Sequence, residues 1–514
     1  MFEKGSQRIT RRQSTAVIAS SLLLALLLGS CAQKPDESLR GTVGFVQGFL
    51  GGVVADEPRA ALAGREILSV GGSAADAAVA TYFALAVTLP SMATLGGGGI
   101  CLVHDPAKEK TQMLDFVAPG PTTAPGPGAG RPVATPMNAR GLFVLHARHG
   151  RLKWAQLLAP AANMARFGVP VSRAFARDLA KAIAVIGADA EARRVFGRPD
   201  GTGPLREGDR LVQVDLAGLL ERIRNQGPGY IHGGEGAVTL VQAYRGAGFA
   251  LDRDDLRGAV PVWRDTVVIP IEGMGRRVLA YFTVAPAIGG DVAGRIVNQL
   301  AEKDRYARAG ATERAPMFID AATRALSETA QDLALADGSA ATAFVAADRD
   351  GMVVACAVTA HQLFGVGKIP LSTGILPAAV PTAGARGPSA LAAMIVDDRV
   401  NDGAVFAAAA TGGAAAATAM AQVAARTLFE GYFLEEALAG ARLHPIGRDG
   451  AVHHESHLDD VTIQALAGRG VKLGGTYALG SVNALACPGG LLKLPQSCSL
   501  RADPRALGLA AEAD

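Results

Sequence analysis

Apolar and polar positions along the chain follow two periods, and the changes of period mark out elements. From 74 to 87 nearly every residue is apolar, with Ser73 and Asp76 in capping-box spacing before the run and Pro90 closing it. This predicts a helix that is apolar on almost all sides and therefore buried. Gly96-Gly97-Gly98-Gly99 then leads into a strand over 100–104. No Lys-Ser/Thr follows, so the glycines are not a phosphate loop; they let backbone approach a neighbour or ligand closely. The Pro/Gly-rich stretch 119–136 reads as a long loop or lid. Helical spacing covers 154–226, strands are predicted at 266–270 and 277–284, and a helix at 292–303.

The most informative pattern is a hairpin. Residues 342–347 and 352–358 are strand-like and are joined by Asp348-Arg349-Asp350-Gly351, a strong turn signal. Counting outward from that turn sets residue 341 opposite 358 or 359, depending on a bulge. Strand and helix patterns alternate over 392–436, and strands close the chain near 480 and 490. Separate runs of helices and strands suit a layered α/β or α+β fold.

Of the 514 residues, 49% are hydrophobic and 19% charged, enough apolar surface for a large core. Aromatics make up only 5% while glycine and alanine abound, which favours close packing of small side chains. The net charge of +3 is spread along the chain with no dense basic block, so no nucleic-acid partner is indicated.

Residues 1–30 read as a lipoprotein signal peptide. Lys4, Arg8, Arg11 and Arg12 precede an apolar stretch over 16–28, too short to span a membrane. Leu28-Gly29-Ser30-Cys31 resembles a bacterial lipobox, which makes Cys31 the lipidated mature N-terminus. Ala32 rather than aspartate follows, implying a periplasmic protein anchored to the outer membrane. Residues 31–45 form a polar tether, with ordered structure expected from about Val46. Of the other cysteines, Cys487 and Cys498 either pair across a hairpin or stay as buried thiols. Cys101 and Cys356 complete the set, and no metal spacing occurs among the four. His453, His454 and His457 with Asp459 and Asp460 read as a solvated loop and strand rather than a metal site.

Short motifs run through the chain in a specific order. They include Val54-Ala55-Asp56, Gly71-Gly72-Ser73-Ala74-Ala75-Asp76, Leu95 to Gly99 and Pro204-Leu205-Arg206-Glu207-Gly208-Asp209. Later come Phe364-Gly365, Thr373-Gly374-Ile375-Leu376, Gly412-Gly413 and Asp503-Pro504-Arg505. In order and spacing, from about 50 to 510, the chain resembles the γ-glutamyltransferase (glutathione hydrolase) family of N-terminal-nucleophile hydrolases. The resemblance implies a four-layer αββα sandwich, with a large-subunit-like region over 46–340 and a small-subunit-like region over 341–514 intertwined in one domain. It implies no cofactor. Members of that family cleave themselves before a threonine. Its hydroxyl attacks the preceding carbonyl, and the freed α-amine then serves as its base.

Residue by residue, the resemblance sets Ala341 at the nucleophile position, where neither step is open to a methyl group. It makes Thr359 the hydroxyl partner of the nucleophile, Gly412 and Gly413 the oxyanion hole, and Ser389 a substrate-carboxylate contact. Val117 stands where an arginine clamps the substrate, Ala383 where a carboxylate holds its amine, His361 at a substrate-contacting position, and Ala390 at a second serine. Losing the two charges removes the means of holding a zwitterionic γ-glutamyl group. Three functions follow as expectations: a catalytically degenerate family member, an amide hydrolase or acyltransferase using Thr342 (or, more weakly, Ser339) after self-cleavage, or, weaker still, direct γ-glutamyl hydrolysis of glutathione. A γ-glutamyl-like or amide small molecule is the candidate ligand, and the sequence leaves the oligomeric state open.

Overall fold

The computed structural model describes residues 49–122, 130–271, 278–329, 340–380, 389–400, 403–446 and 450–513. Cys31, Ser339 and Ala383 lie outside these residues, as do the signal segment and tether. The chain enters through β1 (Gly51–Ala55), α1 (Pro58–Ser69) and α2 (Ala74–Thr88), then the hairpin of β2 (Gly98–Asp105) and β3 (Lys110–Phe116). A helical stretch including α3 (Trp154–Phe167) and α4 (Val214–Gln226) leads to β4 (Val262–Asp265), β5 (Val267–Ile271) and β6 (Val278–Phe282). Two helices follow, α5 (Ile288–Ala301) and α6 (Ala311–Glu328). Next come the hairpins β7 (Ala340–Asp348) to β8 (Val353–His361) and β9 (Ala392–Asp398) to β10 (Gly403–Thr411). The chain finishes with α7 (Ala415–Leu428), α8 (Leu434–Ala439), α9 (Asp460–Ala467), β11 (Ser481–Ala486), β12 (Ser499–Arg501) and β13 (Leu509–Ala513).

These elements build the four-layer αββα sandwich. One seven-stranded sheet runs β13-β1-β7-β8-β2-β3-β4, and a six-stranded sheet runs β12-β11-β10-β9-β6-β5. An apolar cluster containing Val54, Ile100, Ala343, Val345, Ala407 and Leu485 fills the gap between them. Separate clusters lie under the outer helices of each sheet. Alanine contributes only a methyl, about 0.8 kcal/mol on burial. The core compensates with many such contacts at close range: Ala408, Ala409 and Ala410 of β10 are all fully buried.

The all-apolar prediction for α2 holds. All fifteen residues are buried, and Ser73 and Asp76 form the capping box. The carboxylate of Asp76 also accepts from the Arg151 and Leu152 N–H groups, anchoring the loop before α3. The glycine run packs against protein backbone: a Cβ on Gly97 would strike the Thr359 carbonyl, and one on Gly98 the backbone of residues 116 and 118. Because those glycines can lie in the ladder, β2 starts at Gly98, two residues before the predicted strand.

Other boundaries moved for similar reasons. Helix α5 begins at Ile288 instead of 292, since Gly289 and Gly290 pack against the Ala390 carbonyl and Thr283 with no room for side chains. It stops before Lys303, whose φ is +54°. Short strands at Val169–Pro170 and Arg210–Leu211 interrupt the helical stretch. Over 392–436 the two strands come first and the helices second, because β9 and β10 pair directly as a hairpin. No strand forms near 490. The chain turns there, and the last strand, Leu509–Ala513, pairs with β1 in the first sheet. Both cysteine pairs are disulfides: Cys487–Cys498, and Cys101–Cys356, which face each other across β2 and β8.

The C-terminal strands are held by a buried ionic network. Arg442, fully buried, pairs with Asp503 and donates to the Leu479 and Gly480 carbonyls at 3.2 and 3.0 Å. Asp503 also accepts from Arg505 at 3.2 Å and from the Val482 N–H at 2.8 Å. Glu455 in turn takes Arg505 and the Arg442 and Leu479 N–H groups. Replacing Asp503 with alanine strands the Arg442 charge, so the expected loss in denaturant unfolding is about 3–5 kcal/mol; a loss under about 1 kcal/mol would show the network to be dispensable.

Candidate functional site

Strands β7 and β8 are central in the first sheet, flanked by β1 and β2. Their turn carries Gly351 at φ +86°, the left-handed position that a short hairpin loop needs. With both edges paired, the register is fixed: Ala341 faces Thr359 and Thr342 faces Val358. The strands run further than predicted because Thr359 closes an irregularity between Ala340 and Ala341. Its hydroxyl donates to the Ala340 carbonyl at 2.9 Å and accepts from the His361 N–H at 2.8 Å. His361 then turns away at φ +67°.

Period-2 alternation separates Ala341 from Thr342. Ala341 lies in the cluster between the sheets with Ala343 and Val345, while Phe344 and Ala346 face the helical layer. Thr342, fully buried, gives its hydroxyl to Asp56 Oδ2 at 2.8 Å.

Four of the residues singled out from the sequence meet in one place. Val117, Thr359, His361 and Ser389 line a cavity with Ala118, Ala134, Ala378 and Ala379. It measures about 10 Å³, room for about one water molecule. Among the described residues of that lining, His361 is the one titratable side chain. Ser389 is placed by backbone bonds, its N–H to the Pro286 carbonyl at 2.7 Å and its own carbonyl accepting from Ile288 at 2.9 Å. Ala390 is buried beside Ile288. The nearby acid, Asp115, accepts from the Val117 N–H at 3.0 Å and pairs with Arg264 at 2.8 Å. Where the resemblance expects a cation over a substrate carboxylate, the wall is thus a valine and the neighbouring charges are already matched.

Gly412 and Gly413 follow β10 and precede α7, at φ +118° and +63°. Gly412 is required by space, since a Cβ would meet Gly480; Gly413 is open. Neither glycine lines the cavity, nor does Thr342.

Two polar residues with no predicted role lie under this site. Asp56 Oδ1 accepts from Asn483 Nδ2 at 2.7 Å, and the same amide reaches the Ala343 carbonyl at 2.8 Å. The Ala343 N–H also bonds Asp56, at 3.2 Å. Burial pushes Asp56 up to about 6, against the lowering effect of these hydrogen bonds. The available signal was Asn483 itself, an amide within an otherwise apolar strand core. Among the described residues no group of three or more His, Cys, Asp or Glu side chains could hold a metal ion. His453 and His454 lie in a strand, and Asp459 caps α9.

Comparison with known proteins gives a consistent picture. The family model described as gamma-glutamyltranspeptidase matches residues 60–337 and 311–512. The glutathione hydrolase proenzyme of Escherichia coli (strain K12) is 27% identical over 90% of this chain and 94% of its own length. The glutathione hydrolase of Aspergillus flavus is 31% identical, over 60% of this chain and 52% of its own. Scoloptoxin SSD14 of Scolopendra dehaani is 27% identical, over 51% and 46%. The chain therefore spans about half the length of the latter two. Among solved structures, the cephalosporin acylase from Bacillus halodurans superposes with a TM-score of 0.76 at 22% identity, over 93% of this chain and 98% of that one, a likeness of fold.

The folded-state affinity of Asp56 for its proton exceeds that of the unfolded chain, so its contribution to stability is present below about pH 4 and fades as pH rises through 6. Asp56→Asn lacks this term. Its deficit against the parent should be greatest near pH 4 and narrow by about 3 kcal/mol at neutral pH. Denaturant titrations of both proteins across that range measure it; a deficit that widens with pH would refute the assignment.

Proposed function

The chain belongs to the γ-glutamyltranspeptidase family, and on that premise we propose that it neither cleaves itself nor transfers a γ-glutamyl group. One observation carries the reading: Ala341 is the residue opposite Thr359, at the position where the family's chemistry needs a hydroxyl. A methyl group cannot attack the Ala340 carbonyl, and that carbonyl instead accepts the Thr359 hydroxyl. The neutral wall at Val117 supports loss of the glutamyl clamp as well. The role left is binding of a small amide-like molecule, which would have to widen a cavity that has room for about one water.

The competing reading makes Thr342 the nucleophile of an amide hydrolase or acyltransferase. Its hydroxyl is bound to buried Asp56, which also holds Asn483 of the other sheet. Reaching the Ala341 position requires a one-residue slip, which inverts every side chain of a strand buried on both faces. That weighs against it.

The lipobox-like segment supports a second proposal, that the mature protein is a periplasmic lipoprotein held in the outer membrane through Cys31. Among the described residues no helix is long and apolar enough to cross a membrane.

On a denaturing gel the purified mature protein should give one full-length band and release no amine from a γ-glutamyl anilide. A small fragment whose N-terminal sequence begins at Thr342 would overturn the reading. Ala341→Thr alone should stay without useful transfer activity, because Val117 still occupies the clamp position. For the anchor, labelled palmitate should be incorporated in the parent and lost in Cys31→Ser; equal label in both would exclude lipidation there.

A further inference from the structure

Helices α6, α7, α8 and α9 enclose a cleft of about 290 Å³ on the outer side of the second sheet, lined by none of the residues of the inter-sheet site. Its floor holds two guanidinium groups and one carboxylate. Glu430 accepts from the Tyr306 hydroxyl at 2.8 Å and from Arg314 Nη1 at 3.2 Å. Arg314 gives Nη2 to the Ala307 carbonyl at 3.0 Å, which leaves its buried Nε without a partner. Arg426 donates only to the Ala437 and Ala441 carbonyls and forms no ion pair among the described residues. Carbonyl dipoles offset a guanidinium less fully than a carboxylate does. Glu430 is thus matched by Arg314, and Arg426 leaves the floor with a surplus positive charge.

The rim differs. Glu436 accepts from the Phe433 N–H and Asp459 from the Thr462 N–H, and both are exposed, so their fields are screened by solvent. Phe318 and half-exposed Tyr432 supply apolar wall. The dimensions approach those of small-ligand pockets, which combine apolar walls with a few fixed polar groups.

We propose that this cleft binds a small organic monocarboxylate. Its carboxylate sits on Arg426 and the Arg314 Nε at the floor, and its apolar body lies along Phe318 and Tyr432. The floor offers a single surplus positive charge, so a second negative charge finds no partner there and a monoanion is preferred over a dianion of the same size.

Benzoate, its neutral isostere benzamide and the dianion phthalate test this on the intact chain by calorimetry and thermal shift at matched ionic strength. Benzoate should bind and raise the melting temperature, benzamide should not, and phthalate should bind more weakly than benzoate. Arg426→Gln should weaken benzoate about tenfold or more, and Tyr432→Ala, a surface change that spares the fold, a few-fold. Should Arg426→Gln fail to fold, Arg314→Gln replaces it with the same expectation. No benzoate binding at about 20 mM, equal binding of benzamide, or unchanged affinity in the arginine variant would each overturn the proposal.

Discussion

Burial of the central hairpin on every side is the constraint from which the rest follows. Strands β7 and β8 have neighbours at both edges, the helical layer on one face and the second sheet on the other. No residue of β7 can change faces without moving apolar side chains out of two cores at once. The identities of the residues at 341 and 342 therefore become positional facts. A methyl group lies in the gap beside Thr359, and the neighbouring hydroxyl is held by Asp56. The same burial makes Thr359 satisfy itself locally, bridging Ala340 and His361.

Several of the buried polar side chains are joined in one network. Asp56 links Thr342 and Ala343 to Asn483 on the opposite sheet, and Asn483 in turn accepts from the Asp503 N–H at 3.2 Å. From Asp503 the network continues through Arg442 and Arg505 to Glu455. An apolar gap filled with alanine methyls permits sheets to slide; hydrogen bonds with fixed directions do not. The network thus ties the register of the two sheets, and with it the C-terminal segment, to the strand that carries residue 341.

The two cavities differ in charge for reasons visible in their walls. Around Thr359 the lining is four alanines and a valine with Thr359, His361 and Ser389, and Asp115 is paired with Arg264. Between the outer helices, Arg426 is fixed by carbonyls at the end of α8, an arrangement that holds its position without cancelling its charge. The inter-sheet cavity has a largely uncharged wall, while the outer cleft carries a surplus positive charge.

The sequence by itself determined the family, the layered architecture and the register of the hairpin to within one residue. These rest on local signals: the capping box at Ser73, the Asp348 to Gly351 turn, and the order of short motifs. It also pointed to Val117, Thr359, His361 and Ser389, which the fold gathers from three separate stretches of chain. Tertiary structure alone decided that residue 341 pairs with 359, that β13 returns to the edge of β1, and that Cys101 and Cys356 stand opposite each other. It decided too that Asp56, Asn483 and Asp503 share one network. Such contacts join residues hundreds of positions apart, as in the 427-residue separation of Asp56 and Asn483. No local period encodes them; they arise only when two sheets, each specified on its own, close on a common gap.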